Sequence, residues 1–537
     1  MPGSARRQWR GEEYDAMRII ASGGNRLHAP ANSLAALISG YTGGADALLI
    51  GVRQTADGVL VPAGDDRVPG SEVLISASSF AALQAYDFSA GWLPRRTEAS
   101  FHYCDPAVSG RRLKLPRLDD VIDALPRDVT LLIDAGAFAE AAVALLESRG
   151  RIETAMLVSD SPAALAAARP GLRTALWATD GMVAASDVDL LIVPVGALRD
   201  GGGWSQAGIA LRERKLAGEW PMGLCAVLDD AGTDPATLDA LAQTAWLWGV
   251  CTGSTFDMER LRPGYVHSQS DFAGTEIDRR QFALGYAKAN RFANVHCDDG
   301  VHLEIADYAG PMPGGGGSPT ERRITRLEWD LINVAKEWPF YSGGGLGTVR
   351  GIGDDFAAEV AYRVARVGQA TTLEMAVTNV DPGAHRAAPP QSFRDKDSFY
   401  DPHGAPPYVG VEHDEDDGFR INWNLGCEYD NNQYGRPVSE GRTPHGGRLR
   451  LERRGAFHAA YFRDPVDADD NPLAPRDWVC VGVVANESLN RTVYLRCVGK
   501  RWRQEKESDP SQHEPILPNH FVFRDLRITC FPPASRG

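Results

Sequence analysis

The stretch from Met17 to Asp66 constrains the fold more than any other part of the chain. A short apolar run at Ile19 and Ile20 leads into a glycine turn, and a helical pattern begins near Asn32. A second apolar run then leads into the turn Thr55-Ala56-Asp57-Gly58, which has an extended segment on each side. This order predicts a β-α-β unit at the start of the chain.

Strand and helix patterns continue to alternate as far as residue 252. The extended patterns cover residues 129–134, 154–160, 173–179, 188–195, 222–229 and 246–252, and the helical patterns cover residues 161–169, 206–217 and 234–245. Alternation at this spacing is typical of a (β/α)₈ TIM barrel, whose strands are parallel and are joined by helices. We therefore expect eight parallel strands, with Ser22, Leu49, Gly64 and Asp134 at the same end of the barrel.

Two motifs in this region resemble the glycerophosphodiester phosphodiesterase family. Ala29-Pro30-Ala31-Asn32-Ser33 is similar to the Ala-Pro-Glu-Asn-Thr segment that opens the family's first helix. The segment from Leu115 to Ile122 resembles the family's Pro-Thr-Leu-Glu-Glu-Val helix start. The resemblance implies a barrel of this family over residues 17–265.

The positions that would carry the family's chemistry hold other residues. The resemblance implies two histidines that exchange protons and a divalent cation held by carboxylates. The positions that match the family's histidines, arginine and carboxylates are Ser22, Gly23, Ala31, Leu49, Gly51 and Gly64. Neutral side chains of these types neither exchange protons nor bind a divalent cation, so we expect a barrel without catalytic residues.

A rewired barrel site is the alternative. Asp65 and Asp134, together with Asp46, would form a weak cation site if the strand ends brought them together. We favour the simpler interpretation that Asp65 and Asp66 cap the turn after the second strand. His28 lies where relatives carry an aromatic residue, which favours packing over catalysis. If these residues acted together, the protein would be an active phosphodiesterase that uses Asp65, Asp134 and His28.

Beyond Pro263-Gly264 the composition changes from Ala- and Leu-rich helical patterns to glycine, proline and β-formers. Short extended segments separated by turn residues predict an all-β sandwich of the jelly-roll type. The strand pair from Arg448 to Phe462, and Phe521 to Ile528, resemble the concanavalin A-like (laminin-G-type) family. We expect an N-terminal extension at 1–16, a linker with the first sandwich elements at 266–345, including a helix at 325–336, and the sandwich at 346–537.

Two groups of sandwich residues are candidate sites. An acidic run after Val411, with Glu412, Asp414 and Asp416, offers carboxylates that a hard cation such as Ca²⁺ prefers, but the favoured interpretation is a solvated acidic loop. Asn422 and Asn424 alternate with Trp423 on one strand, so one face is polar and the other apolar. These residues and Tyr429 are candidates for binding a sugar.

Charge and cysteine content narrow the classes of function. The formal net charge of −15 argues against binding to duplex nucleic acid, because phosphate contacts need a basic surface. The eight cysteines are scattered without zinc spacing, which favours buried thiols. We find neither a signal-peptide pattern nor a membrane span, so we expect synthesis in the cytoplasm and no membrane insertion.

Three functions remain open at this point. The first is a non-catalytic protein that binds cell-envelope polysaccharide or a teichoic-type polymer, in a bacteriophage tail or tail-like particle, as a homo-oligomer or with other tail proteins. The second is the rewired phosphodiesterase. The third is a polysaccharide-degrading enzyme with its site in the sandwich, where Glu412, Asp414 and Glu452 are the candidate acids.

Overall fold

The structure is a computed structural model of the full chain. It describes residues 17–90, 92, 101–103, 113–178, 188–200, 203–217, 223–228, 235–244, 246–254, 264–284, 293–306, 342–366, 371–379, 407–414, 418–424, 429–437, 445–473, 477–501 and 518–531. The chain divides into two compact units, of which one comprises Met1–Trp92 with Arg112–Pro263 and the other Leu93–Arg111 with Gly264–Gly537. The expected helix at 325–336 and the glycine-rich loop before it lie outside the described residues.

Strands dominate the described part of the chain. In chain order they are β1 (Arg18–Ser22), β2 (Ala47–Gln54), β3 (Leu60–Pro62), β4 (Phe101–Tyr103), β5 (Thr130–Asp134), β6 (Ala155–Ser159), β7 (Arg173–Trp177), β8 (Leu190–Pro194), β9 (Arg199–Asp200), β10 (Gly203–Trp204), β11 (Gly223–Val227), β12 (Gly249–Thr252), β13 (Tyr265–Ser270), β14 (Phe282–Leu284), β15 (Ala293–Cys297), β16 (Val301–Ile305), β17 (Ser342–Thr348), β18 (Asp355–Arg366), β19 (Thr371–Thr378), β20 (Tyr408–Asp414), β21 (Gly418–Asn424), β22 (Tyr429–Pro437), β23 (Gly446–Arg454), β24 (Phe457–Val466), β25 (Val479–Ala485), β26 (Tyr494–Arg501) and β27 (Asn519–Phe531).

The described helices all lie in the first unit. They are α1 (Leu34–Thr42), α2 (Phe80–Leu83), α3 (Leu118–Ala124), α4 (Ala139–Ser148), α5 (Val195–Leu198), α6 (Gln206–Leu216) and α7 (Pro235–Ala242), with short 3₁₀ turns at Gly136–Phe138, Ile152–Thr154 and Ala164–Ala167. Serine caps begin three of them: Ser33 Oγ accepts from Ala36 N at 3.1 Å, Ser79 Oγ from Ala82 N at 3.3 Å and Ser205 Oγ from Gly208 N at 2.9 Å. Among the described residues, no helix is long and apolar enough to cross a membrane.

The first unit is a closed parallel barrel. Its strand order is β1-β12-β11-β8-β7-β6-β5-β2, and β2 pairs back with β1, while β3 adds to β2 in antiparallel fashion. Strands that are covered on both faces need nearly continuous apolar runs, such as Ala47-Leu48-Leu49-Ile50. Inward side chains fill the barrel, among them Leu132, Val158 and Ile192. The predicted barrel is confirmed.

The second unit contains two eight-stranded antiparallel sheets. The β27 sheet has the order β15-β16-β27-β18-β23-β24-β25, with β13 also paired to β27. The β19 sheet has the order β14-β17-β26-β19-β20-β21-β22-β4. The aromatic rings of Phe419 and Phe462, one from each sheet, stack with centroids 4.1 Å apart, and the Tyr362 hydroxyl is 3.0 Å from His413 Nδ1. The predicted β-sandwich is confirmed, and jelly-roll topology stays a prediction.

Candidate functional site

The carboxyl ends of the parallel strands define the barrel mouth. Ser22 ends β1 and is in register with Leu49 of β2, and Gly51 of β2 is in register with Asp134, which ends β5. The glycine turn after β1 is tied to β2, because Gly23 N donates to Leu49 O at 2.7 Å. These four positions therefore lie at one end of the barrel, where this class of fold carries its active sites.

The two strand positions expected to carry carboxylates in an active relative hold Leu49 and Gly51. Leu49 is buried in the apolar interior, in the same cluster as the partly buried Trp177 and Val227. A Cβ atom at Gly51 would lie 2.8 Å from both Ala63 O and Gly64 Cα. The hairpin after β2 therefore occupies the space that a side chain at position 51 would need.

Asn32 fixes the same region from the other side. Its side-chain Oδ1 accepts a hydrogen bond from Gly51 N at 3.1 Å, and its backbone N donates to Gly23 O at 2.8 Å. Its φ of 60° lies in the left-handed region, which asparagine tolerates better than most residues. The Ala-Pro-Ala-Asn-Ser motif thus retains an asparagine that joins the first two strand ends.

Asp134 is the carboxylate that the structure retains at this end of β5. Its Oδ2 accepts from Trp177 Nε1 at 3.2 Å. Burial raises the pKa of Asp134, while the Trp177 hydrogen bond and the charge of Arg53 act in the opposite direction. The Arg53 guanidinium donates to Val52 O at 2.8 Å and to Gly64 O at 2.5 Å. The charge of Asp160 adds to the effect of burial and also raises the pKa of Asp134.

The other residues of the expected cation site lie elsewhere. Asp46 precedes β2, accepts from Ile19 N at 2.8 Å and lies 3.9 Å from the Arg18 guanidinium, so it is at the amino end of the barrel and its placement at the mouth was wrong. Asp65 is exposed and accepts from Asp66 N at 2.6 Å, as a turn cap does. Among the described residues, no three His, Cys, Asp or Glu side chains are arranged around one point, as they stand, to hold a metal ion.

His28 is placed by packing. It is buried, and its Nε2 lies 2.9 Å from Ser254 Oγ, on the chain just after β12. The contact joins the loops that follow the first and last barrel strands.

A buried polar network covers one face of the β19 sheet. Arg496 pairs with Glu374 at 2.7 Å, and Arg420 Nε donates to Glu412 Oε2 at 3.1 Å. Asn422 Nδ2 donates to both carboxylates, at 3.3 Å for Glu374 Oε2 and in a shorter contact to Glu412 Oε2. All five residues are buried, and Glu412 and Asn422, expected respectively in an acidic loop and at a ligand surface, belong to this network.

Sequence reasoning missed Glu374 and Arg496. Both stand in β-strands whose neighbouring residues are apolar, as in Thr-Thr-Leu-Glu-Met-Ala-Val. A single acidic residue inside a buried strand was the available signal. This signal did not identify the partner of Glu374, because only the strand pairing places Glu374 opposite Glu412.

The remaining sandwich candidates are spread over different places. Trp423 is half-buried and lies opposite Val409, on the face of β21 away from Asn422. Asn424 pairs in register with Tyr429, and their side chains, like that of Asp414 at the end of β20, are outside the described part of the structure. Asp416 lies wholly outside the described residues.

Glu452 belongs to the other sheet. It lies on β23, where its Oε1 accepts from Arg450 Nε at 2.9 Å and its Oε2 from the Tyr461 hydroxyl at 2.9 Å. Glu412 lies on β20 of the β19 sheet. Glu412 and Glu452, two of the three candidate acids, therefore lie on different sheets, and their joint role in one site stays untested.

Structural comparison finds similar barrels among glycerophosphodiester phosphodiesterases. The enzyme from Agrobacterium tumefaciens is 19% identical, with 45% of this chain and 99% of that chain covered and a TM-score of 0.36. The Thermotoga maritima enzyme is 18% identical over 46% of this chain and 98% of that chain, with a TM-score of 0.35. An Oleispira antarctica phosphodiesterase, determined with the product sn-glycerol-3-phosphate, is 18% identical over 46% and 97% of the two chains, with a TM-score of 0.36.

Two further comparisons gave no match. No family model matches the chain, and no curated protein matches it. The strand topology places the chain in the class of proteins that contain a parallel barrel and an antiparallel β-sandwich.

Proposed function

We propose that this chain is a non-catalytic binding protein that recognises a cell-envelope glycan or glycerophosphate polymer. The observation that carries the proposal is the backbone packing at Gly51, where the nearest atoms leave no room for even a Cβ. Leu49 adds an apolar floor at the neighbouring inward position. A metal-dependent phosphodiesterase needs carboxylate ligands at such positions, and neither residue supplies one.

The charge at the mouth supports the same conclusion. The charge of Arg53 acts to lower the pKa of Asp134, and the Arg53 guanidinium donates to two backbone carbonyls. A divalent cation placed there would meet this positive charge. Recognition is therefore assigned to the second unit, and the proposed place in a bacteriophage tail or tail-like particle is an association by domain type.

Hydrolysis and wall binding of the full chain test the proposal together. The purified protein is incubated with glycerophosphocholine and Mg²⁺, Ca²⁺ or Mn²⁺, and we expect no turnover above a heat-inactivated control. Sedimentation with bacterial cell walls, before and after removal of the wall polymer, is expected to show binding and to identify the bound component. Turnover that is lost in Asp134→Asn would overturn the assignment, as would failure to bind any wall preparation.

A second candidate function is cleavage of a polysaccharide by Glu374 and Glu412. Both carboxylates contact one nitrogen of Asn422. Their Oε2 atoms are therefore at most about 6 Å apart, a limit that includes the roughly 5–5.5 Å of retaining glycosidases. However, each carboxylate is paired with a buried arginine, which stabilises the ionised form, whereas glycoside cleavage needs one protonated acid.

Release of reducing sugar from cell-wall polysaccharide distinguishes the two candidates. If the sandwich is an enzyme, Glu374→Gln and Glu412→Gln each abolish release, and Glu487→Gln, at an exposed loop position, leaves it unchanged. Our first proposal predicts no release by any of the four proteins. Circular dichroism of each variant confirms that the fold is intact.

A further inference from the structure

Three histidines and a glutamate share one face of the β27 sheet, away from the polar network described above. His296 of β15 is directly opposite His302 of β16, and Glu304 of β16 is directly opposite His520 of β27. On the other side of β27, the exposed Arg366 of β18 is directly opposite His520. Residues directly opposite one another in antiparallel strands project from the same face of the sheet. Sheet pairing therefore brings together residues that are far apart in the sequence.

The rings of this histidine cluster are in contact. The ring centroids of His296 and His302 are 5.2 Å apart, and those of His302 and His520 are 5.1 Å apart. His302 Nδ1 lies 2.8 Å from His520 Nε2. The histidines are partly exposed and Glu304 is exposed, so solutes reach all four side chains.

The backbone orients the central ring. His302 Nε2 lies 2.8 Å from the carbonyl oxygen of Asp298, and because a carbonyl only accepts, this nitrogen carries the proton. In the neutral ring Nδ1 is then unprotonated, so its lone pair can bind a metal ion. This nitrogen faces His520. A histidine that gives one nitrogen to a carbonyl and the other to an ion is the usual arrangement in metalloproteins.

We propose that His302 and His520 bind a divalent transition-metal ion such as Zn²⁺ or Ni²⁺, with Glu304 as a third ligand. Imidazole nitrogen and carboxylate oxygen are ligands that these ions prefer. Among the described residues no three such side chains surround one point as they stand, so binding replaces the His302–His520 hydrogen bond and draws in the exposed Glu304 by side-chain rotation. His296 stacks on His302 and limits the movement of its ring.

Metal titration of the full-length protein tests the site. The protein is treated with EDTA, dialysed and titrated with ZnCl₂ or NiCl₂ by calorimetry, and we expect saturable binding of one ion per chain. His302→Gln and His520→Gln are each expected to weaken binding at least about tenfold, since even loss of a residue that only supports a ligand costs about 10–100-fold. His445→Gln is the control, because His445 lies near Val364 O, outside the cluster.

A second measurement keeps the inference testable if a histidine variant is unstable. Co²⁺ bound by histidine nitrogen gives visible absorption bands, which we expect in the full chain and, with altered wavelength or intensity, in Glu304→Gln. Glu304 is exposed, so this substitution leaves the fold intact. No binding by the unmodified chain, or equal affinity in His302→Gln, His520→Gln and His445→Gln, would overturn the metal site and leave the three rings as a packing cluster only.

Discussion

Gly51 is the residue of the barrel mouth at which the backbone of the following hairpin leaves no room for a side chain. We predict that Gly51→Ala lowers the free energy of unfolding by about 1–3 kcal/mol, because the added methyl meets Ala63 O and Gly64 Cα at 2.8 Å. Gly196→Ala is the matched control, since a Cβ there has nothing within 4 Å. Chemical denaturation measures both variants, and equal stabilities would contradict the packing argument.

His458 gives the sandwich a specific dependence on pH. It is fully buried, its Nδ1 donates to Ala456 O at 3.0 Å, and burial, together with the charge of Arg453, lowers its pKa to about 3. In the unfolded chain the pKa of histidine is about 6.5. Above about pH 6.5, His458 is neutral in both states and its ionisation does not change the free energy of unfolding. Below that pH, the unfolded chain binds a proton at His458 and the folded chain does not.

We therefore predict that His458 removes about 1.4 kcal/mol of stability for each pH unit between about 6 and 4. His458→Gln abolishes this contribution while other titrating groups are retained. Urea unfolding of both proteins at pH 7, 6 and 5 measures the difference in slope. Parallel stability curves would show that His458 is protonated in the folded state.

At residue scale the sequence predicted some site positions and not others. Asn32 could be placed because it lies in a contiguous motif next to the first helix. Asp46 was misplaced, because a carboxylate just before a strand and one just after it look equivalent in sequence but lie at opposite ends of a parallel barrel. Glu374 became identifiable only through pairing with β20, which sequence periodicity does not specify.

At the scale of elements, apolar strand runs and helical spacing made the barrel predictable, because each signal lies within a few residues of its effect. The sandwich strands were predictable as extended segments, but their order was not. The pairs β16–β27 and β18–β27 join residues more than 150 positions apart. β4 gives no such local signal, since it lies between barrel elements and yet pairs with β22.

The contact between the two sandwich sheets makes a prediction at this scale. Phe419→Ala removes a ring stacked on Phe462 in a fully buried position, and we expect a loss of about 3–5 kcal/mol. Val266→Ala, at a position that is 47% exposed, is the control and should change stability little. Hydrogen exchange should accelerate in β21 and β24 of the first variant, and unchanged protection there would contradict the predicted contribution of the stack.

At the scale of the whole molecule, each compact unit has its own core. We predict that Leu132→Ala, inside the barrel, lowers the free energy of unfolding of the first unit by about 2–5 kcal/mol and leaves that of the second unit unchanged. In differential scanning calorimetry, Leu132→Ala and Phe419→Ala should each shift a different unfolding transition. A single transition that shifts equally in both would mean that the units unfold together.

The path of the chain between the units affects how the protein can be divided. The polypeptide leaves the first unit after Trp92, returns at Arg112 and leaves again after Pro263, so it crosses the boundary three times. A fragment that begins at Gly264 would lack β4 and would expose the edge of β22, an unpaired strand edge being a site of aggregation. Expression of the sandwich alone therefore requires residues 93–111 to be grafted back, for example through a linker or a circular permutation.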